Sequence, residues 1–483
     1  MNEGKKVLMI VMDGMADRAC SELRGMSPLQ FVRTPNLDWY VEHGISGLSD
    51  PVAPGIRCST HQAYLSMLGY DARNIVGGSG SFDALGLEMD MQPGDIAMRC
   101  YFETIDDSGH VLHPTAGNIA SPDTVELVEA LDGMEIDGIE CHLKAGLYHR
   151  AVLILKGDDL SPDISEAYNP DGTVGEVRPL SSDAWFTADV VNRFQAESRE
   201  ILARHVVNRR RKNAGLMQAN ALVPSGASPF PDLQPFEEKY GVSGCCVAGY
   251  NLVKGLCKAA GMDVYPMPSA CNGRIDTDFE QKMRCALEAL EDYDFVLLGY
   301  KAPDIAGHRK DPRAKVEIVK ELDRTIGHMR ATIGDNVLVA ITCSQCTPCE
   351  LGLHTGDPVP VAVFIKNCIR DDSHEFSENG CSHGNMGRIR GGEFINICMD
   401  MADRASSPGS RIRGHRHSQF AAHGHRYCPL AGAACFHRFP PYRHLLASER
   451  RLEPVGPGME HRIREPLHVI HGGTLSCGHG ISY

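Results

Sequence analysis

The sequence predicts an α/β protein built on a mostly parallel sheet. Three observations carry that prediction: short, wholly apolar runs, amphipathic segments between them, and turn residues where one gives way to the other. The first run, KVLMIVM, has the length of a buried strand and ends at Asp13. TPNLDWYVEHGISG follows as a helix, opened by Thr34-Pro35 and stopped by Gly44. Further strands are predicted in AVLILKG (151–157), FVLLGY (295–300), VLVAIT (337–342) and PVAVFI (360–365). Helical periodicity runs through 187–206 and 278–292. Such sheets bind ligands beyond the carboxyl ends of their strands, and Asp13, Asp304 and His354 each follow a strand-like run. The Gly-, Pro- and Ser-rich stretch NAGLMQANALVPSGASPFPDLQP (213–235) is expected to connect two domains.

A chain of 483 residues has the length of two to three domains, with 42% apolar and 23% charged residues. Net charge is 48 − 62 = −14, which argues against nucleic acid as a partner. No apolar run is long enough for a secretory signal or a membrane span, so a cytoplasmic location is expected. There the 18 cysteines should be thiols or ligands, not a disulfide framework. Residues 404–483 differ from the rest: eleven arginines, four glutamates, no lysine, no aspartate and ten of the 22 histidines. With neither helical nor strand periodicity, this basic His/Arg-rich tail is expected to be disordered.

Three short stretches carry candidate chemistry. In MDGMAD, Asp13 ends a strand; in YKAPDIAGHRKD, Asp304 and His308 stand four apart; in LHTGDPVP, His354 precedes a turn. On a helix, Asp304 and His308 would share one face and could grip one cation. Alone, each residue also fits a structural role as a turn former, a helix cap or a loop histidine. Together, one carboxylate and two imidazoles suit Mn, Zn or Mg, with positions left for phosphate oxygens. Ser59 and Thr60 offer hydroxyl nucleophiles at a helix start, where the dipole favours a phosphoryl group, although such pairs also cap helices. The glycine-rich VGGSGSFDALG (76–86) fits either a phosphate cradle or an ordinary loop. Cys343, Cys346 and Cys349 raise a thiolate zinc site with His354 as an alternative, without a second cysteine pair to support it.

The runs DGMADR, TPNLDWYVEHGISG, DPVAPGIR, LGYD, QPGDIAMRC, HRAVLILKG, IDTDFEQK, YDFVLL, KAPDIAGH, TPC, HTGDPVP and MGRIRG occur in this order. Together they resemble the archaeal-type 2,3-bisphosphoglycerate-independent phosphoglycerate mutases of the alkaline phosphatase superfamily, over about residues 4–403. The resemblance implies an alkaline-phosphatase-like core from 1–111 and 236–403, and an inserted α+β cap from 112–235. It also implies interconversion of 3- and 2-phosphoglycerate, in glycolysis and gluconeogenesis, through a phosphorylated hydroxyl and two divalent cations. Carried over by position, Thr60 is the nucleophile, where the family has serine, and Lys301 meets the phosphate. His149 and Arg150 are the cap's substrate-binding pair. Asp304, His308 and His354 complete one metal site, and Asp13 belongs to a second.

Departures cluster at the chemistry. Where the family has Ala-Asp-His-Ser-Thr-Pro-Cys, this chain has CSQCTPC, so Ser344 and Gln345 replace two ligands of the second metal. Ser79 and Ser225 stand where the family has phosphate-binding arginines; PTAGN (114–118) replaces an arginine-rich block, and AYNP (167–170) an Asp-rich turn. The expectation is one complete cation site, an impaired second, and a small phosphorylated substrate. An impaired pseudoenzyme, or a phosphotransferase or phosphatase with a changed substrate such as a homoserine-kinase-like relative, are the alternatives.

Overall fold

A strand that is apolar on both faces belongs in the middle of a sheet covered on both sides. KVLMIVM meets that condition. Leu8, Ile10 and Met12 enter one hydrophobic cluster, and Val7, Met9 and Val11 another, as the two-residue period of a strand requires. The computed structural model describes residues 4–73 and 77–405; the disorder expected of 406–483 and the part of the glycine-rich stretch at Val76 lie outside them.

In chain order the strands begin with β1 (Lys6–Met12) and β2 (Ile45–Asp50). Next come β3 (Ile96–Ile105), β4 (Val111–His113), β5 (Met134–Ile136), β6 (Ile139–Ala145), β7 (Arg150–Lys156) and β8 (Ala221–Pro229). The last are β9 (Gly244–Ala248), β10 (Asp263–Val264), β11 (Phe295–Tyr300), β12 (Val337–Thr342), β13 (Val359–Phe364) and β14 (Gly387–Arg390). Eight of them form one sheet in the order β10-β9-β11-β1-β12-β13-β2-β14. Its pairings are parallel except the two that β13 makes. Helices flank this sheet, so the expected α/β class is the one found. Register matters most for the site: Met12 pairs with Tyr300, and Val11 with Thr342. Asp13, Lys301 and Cys343 therefore leave the sheet along one rim.

A second sheet runs β4-β3-β7-β6-β5, with β8 also paired to β3. Its first strand starts at Ile96, within the stretch 1–111 expected to belong to the core. The stretch 213–235 is likewise more than a connection, because β8 lies within it. Pro224 and Pro229 are tolerated on a strand that pairs through β3, and Gly226, at φ +65°, sits where the register slips between Ala97 and Arg99. Gly77 and Gly78 pack on this strand: Gly78 N–H donates to the Ala227 carbonyl at 2.9 Å, and a Cβ on Gly78 would collide with Gly226. That gives part of the glycine-rich stretch a structural use.

The expected helix over 187–206 is two helices, Trp185–Arg204 and Val206–Asn213, because the extended His205 breaks the first and its ring caps the second. The helix expected over 278–292 spans Phe279–Asp292, with Asp278 Oδ1 accepting from Gln281 N–H at 2.8 Å. Arg404, assigned above to the tail, belongs to the body. Its guanidinium binds the Gly4 and Lys5 carbonyls and Asp294. Among the described residues no helix is long and apolar enough to cross a membrane.

Helices Gly80–Gly86 and Asn251–Ala259 touch backbone to backbone, and a Cβ on Gly255 would overlap the Phe82 carbonyl oxygen. Gly255→Ala is therefore expected to destabilise the fold by about 1–3 kcal/mol, read as a lower urea midpoint at unchanged slope.

Candidate active site

Three strand ends and two helix starts bring the candidate residues together. After β11, Lys301 precedes the helix Ala302–His308, whose pitch places Asp304 and His308 on one face. His354 arrives from the turn before β13. Asp304 Oδ1 lies 3.2 Å from His354 Nε2, Asp304 Oδ2 lies 3.4 Å from His308 Nε2, and the two Nε2 atoms are 3.2 Å apart. The sequence-predicted trio is thus one cluster, with ligand atoms all within 4.8 Å of one another.

The rings are held so as to serve as ligands. His308 Nδ1 lies 2.9 Å from the Gly352 carbonyl, and His354 Nδ1 3.0 Å from the Cys58 carbonyl. A carbonyl only accepts, so each Nδ1 carries the proton and each Nε2 turns its lone pair inward. Two lone pairs and a carboxylate converging on one point fit a divalent cation. Asp304 is 1% exposed, and burial works to raise its pKa. The Lys301 ammonium, 2.6 Å away, is the strongest influence opposing burial, and the carboxyl is held well below its usual range.

Lys301 links this cluster to the candidate hydroxyl of Thr60. Its Nζ donates to Thr60 Oγ1 at 3.3 Å, and Thr60 is the first residue of the helix Thr60–Met67. Ser59 is turned elsewhere: its Oγ lies 3.0 Å from His61 Nδ1 and donates to Gln62 Oε1 at 3.1 Å. Of the two hydroxyls, Thr60 faces the lysine. His61 is buried, and burial, with a smaller push from the charge of Arg99, lowers its pKa to about 4. A histidine depressed on folding leaves the unfolded chain binding more protons, so stability is lost as pH falls from about 6.5 towards 4. Titration melts over that interval should show a loss of up to about 3 kcal/mol, and His61→Gln should reduce it.

Asp13 is fully buried at the end of β1, where burial raises its pKa against the pull of Lys301. Its Oδ2 accepts from the Tyr250 hydroxyl, whose oxygen lies 2.8 Å from the Tyr64 hydroxyl and can accept its proton. Among the buried oxygens of the described residues that make no hydrogen bond of good geometry are Asp13 Oδ1, Ser344 Oγ, which lies against the Asp13 carboxylate, and Gln345 Oε1. Gln345 Nε2 donates to Asp304 Oδ1 at 3.0 Å. These oxygens fit a hard cation, but with one charge among three ligands the fit is weak.

His149 and Arg150 lie at the β6–β7 turn of the second sheet, where His149 stacks on Tyr101 with ring centroids 5.9 Å apart. His149 therefore packs on the second sheet, and neither residue belongs to the cluster around Asp304. The cysteine alternative receives no support. Cys343, Cys346 and Cys349 are buried thiols, and burial raises all three, Cys346 to about 12. Cys349 does approach Asp17 and Cys20, but the Lys315 ammonium fills that place, 2.7 Å from Asp17 Oδ2. Sequence reasoning missed Tyr250, Tyr64 and Thr347, the last donating to Asp304 Oδ1 at 2.7 Å. Tyr250 follows β9 on the same rim, so the strand-end rule could have found it.

Comparison with known proteins gives the family. A family profile for 2,3-bisphosphoglycerate-independent phosphoglycerate mutase matches residues 42–208. An enzyme of that name from Methanopyrus kandleri is 41% identical over 418 residues, 84% of this chain and 98% of the relative. Another from Picrophilus torridus is 38% identical over 84% of this chain and all of its own. Among solved structures, a Pyrococcus horikoshii protein superposes with a TM-score of 0.74 at 32% identity, covering 84% of this chain and 100% of its own. The cofactor-independent phosphoglycerate mutase of Thermoplasma acidophilum gives 0.60 at 31%, over 82% and 100%. Likeness of this extent places the chain in the 2,3-bisphosphoglycerate-independent phosphoglycerate mutase family.

Proposed function

We propose that this protein interconverts 3- and 2-phosphoglycerate through a phosphothreonine at Thr60. The observation that carries the assignment is the link Thr60–Lys301–Asp304–His354, with contacts of 3.3, 2.6 and 3.2 Å. Thr60 Oγ attacks the phosphorus, the bond from phosphorus to O3 breaks, and the Thr60 proton ends on O3. Glycerate then presents O2, which takes the phosphoryl group as the Oγ–phosphorus bond breaks and the proton returns to Thr60. No other reactant is consumed. Lys301 stabilises the oxygen charge that develops beside Thr60. A divalent cation of the Mn, Mg or Zn class, held by Asp304, His308 and His354, would supply neutralisation of the phosphoryl oxygens. Asp13, Ser344 and Gln345 would hold a second cation only weakly. His149 and Arg150 are assigned to the substrate, and the fifteen described cysteines, all free thiols, support a cytoplasmic setting.

The test is interconversion of the two phosphoglycerates by the purified chain with added Mn, without 2,3-bisphosphoglycerate. A folded, metal-loaded protein that leaves both substrates unchanged would refute the assignment. A second reading, phosphoryl transfer with a different small substrate, is favoured by the neutral residues at 79, 225, 344 and 345. A screen of phosphomonoesters, and of homoserine with ATP, separates the two.

A further inference from the structure

The amide of Gln345 reaches two of the three residues that converge at Asp304. We propose that Gln345 is a fourth ligand of the cation held by Asp304, His308 and His354, its amide turning over on binding so that Oε1 takes the place of Nε2. The proposal rests on the cation assignment above.

Gln345 follows β12 and is fully buried. Backbone bonds fix its position. The Cys346 carbonyl accepts from Thr355 N–H at 3.0 Å, and Thr347 N–H donates to the Ala16 carbonyl at 3.1 Å. The first of these ties the loop of Gln345 to the loop of His354, so the amide and the imidazole are set together. Gln345 Nε2 lies 3.0 Å from Asp304 Oδ1 and 3.4 Å from His354 Nε2. Both of those atoms are acceptors, because His354 Nδ1 carries the ring proton towards the Cys58 carbonyl. The amide hydrogens therefore point to the lone pairs that a cation would take.

A cation and an NH2 group facing one another repel. A half-turn about the last side-chain torsion removes the conflict, since that torsion is broad and two-fold and the amide oxygen and nitrogen are nearly alike in size. The outer side of the amide gives up little. Oε1 is buried and accepts no hydrogen bond among the described residues, so none is broken when it leaves. On the inner side, the cation replaces the two contacts that Nε2 surrenders. Lys301, 2.6 Å from Asp304 Oδ2, has no acceptor to offer and stays a counter-charge. An amide oxygen beside one carboxylate and two imidazoles adds a hard donor without adding charge. Gln345 committed in this way leaves Asp13 and Ser344 to the other side of the cleft, in keeping with weak binding there.

The experiment is calorimetric titration of the chelator-stripped full chain with Mn, without substrate, and Co absorption is the second readout. Gln345→Leu fills the space with neither donor nor acceptor, and should weaken Mn binding by about 10-fold or more. Gln345→Glu presents an oxygen whichever way it turns, and should bind Mn more tightly than the wild type. The visible bands of the Co-loaded protein should shift in Q345L. Tighter Mn binding by Q345L would make the amide a plug that the ion displaces, and would overturn the ligand role. Unchanged affinity in Q345L, unchanged or weaker affinity in Q345E, or Co bands that Q345L leaves alone overturn it as well. Should Q345L fail to fold, Q345E decides. A wild type that takes up no Mn removes the cation site and the fourth ligand together, whereas uptake by the wild type with indifferent variants removes only the fourth ligand.

Discussion

Thr60→Ala should lower the interconversion of 3- and 2-phosphoglycerate by roughly 10,000-fold or more. The expectation follows from geometry and not from position alone. Thr60 Oγ1 receives the Lys301 ammonium, whereas Ser59 Oγ is engaged by His61 and Gln62. Thr60→Ser keeps the oxygen and drops only a methyl group, so activity should stay within about tenfold of wild type, far above the alanine variant. Ser59→Ala removes a helix cap, costs about 1 kcal/mol of stability and retains turnover. Steady-state assays at saturating Mn, with mass spectrometry for the phosphorylated peptide, check all three. An active T60A beside an inactive S59A would give the nucleophile's role to Ser59.

Asp304→Asn should weaken the tight cation by more than about 100-fold and take turnover with it. This carboxylate is the hinge of the site: it meets both imidazoles, Lys301, Thr347 and Gln345. Neutralising it removes the charge that draws the cation and leaves Lys301 beside an amide. His354→Ala should have a similar effect on metal affinity, with less damage to Lys301. The reverse substitution is as informative. Ser344→Asp with Gln345→His returns a carboxylate and an imidazole to the place where Asp13 Oδ1 has no hydrogen-bond partner, so bound metal should rise from one to two per chain. Elemental analysis after gel filtration reads each case.

Much of this was legible because the relevant signals are local. The apolar run before Asp13 foretells a central strand, and the spacing of Asp304 and His308 foretells a shared helix face. What the sequence hid depends on contacts between distant segments. Tyr250 meets Asp13 across 237 positions, and no local pattern announces that pair. IAMRCYFETI is strand-like, yet nothing in it says that β3 joins the second sheet, because the choice is made by its partners β7 and β8. The stretch 213–235 looked like a linker because its prolines and glycines are turn formers. Pairing through one neighbour and a bulge at Gly226 make the same residues a strand. Gln345 was read as a lost ligand, but its amide still reaches Asp304 and His354.

The most direct test of the central claim is anomalous scattering from crystals grown with Mn. The account predicts one strong peak bonded to an Asp304 oxygen, His308 Nε2 and His354 Nε2 at about 2.0–2.3 Å, on the Lys301 side of Thr60. No peak at that point in a fully loaded crystal, or an ion bound instead at Asp17, Cys20 and Cys349, would contradict it.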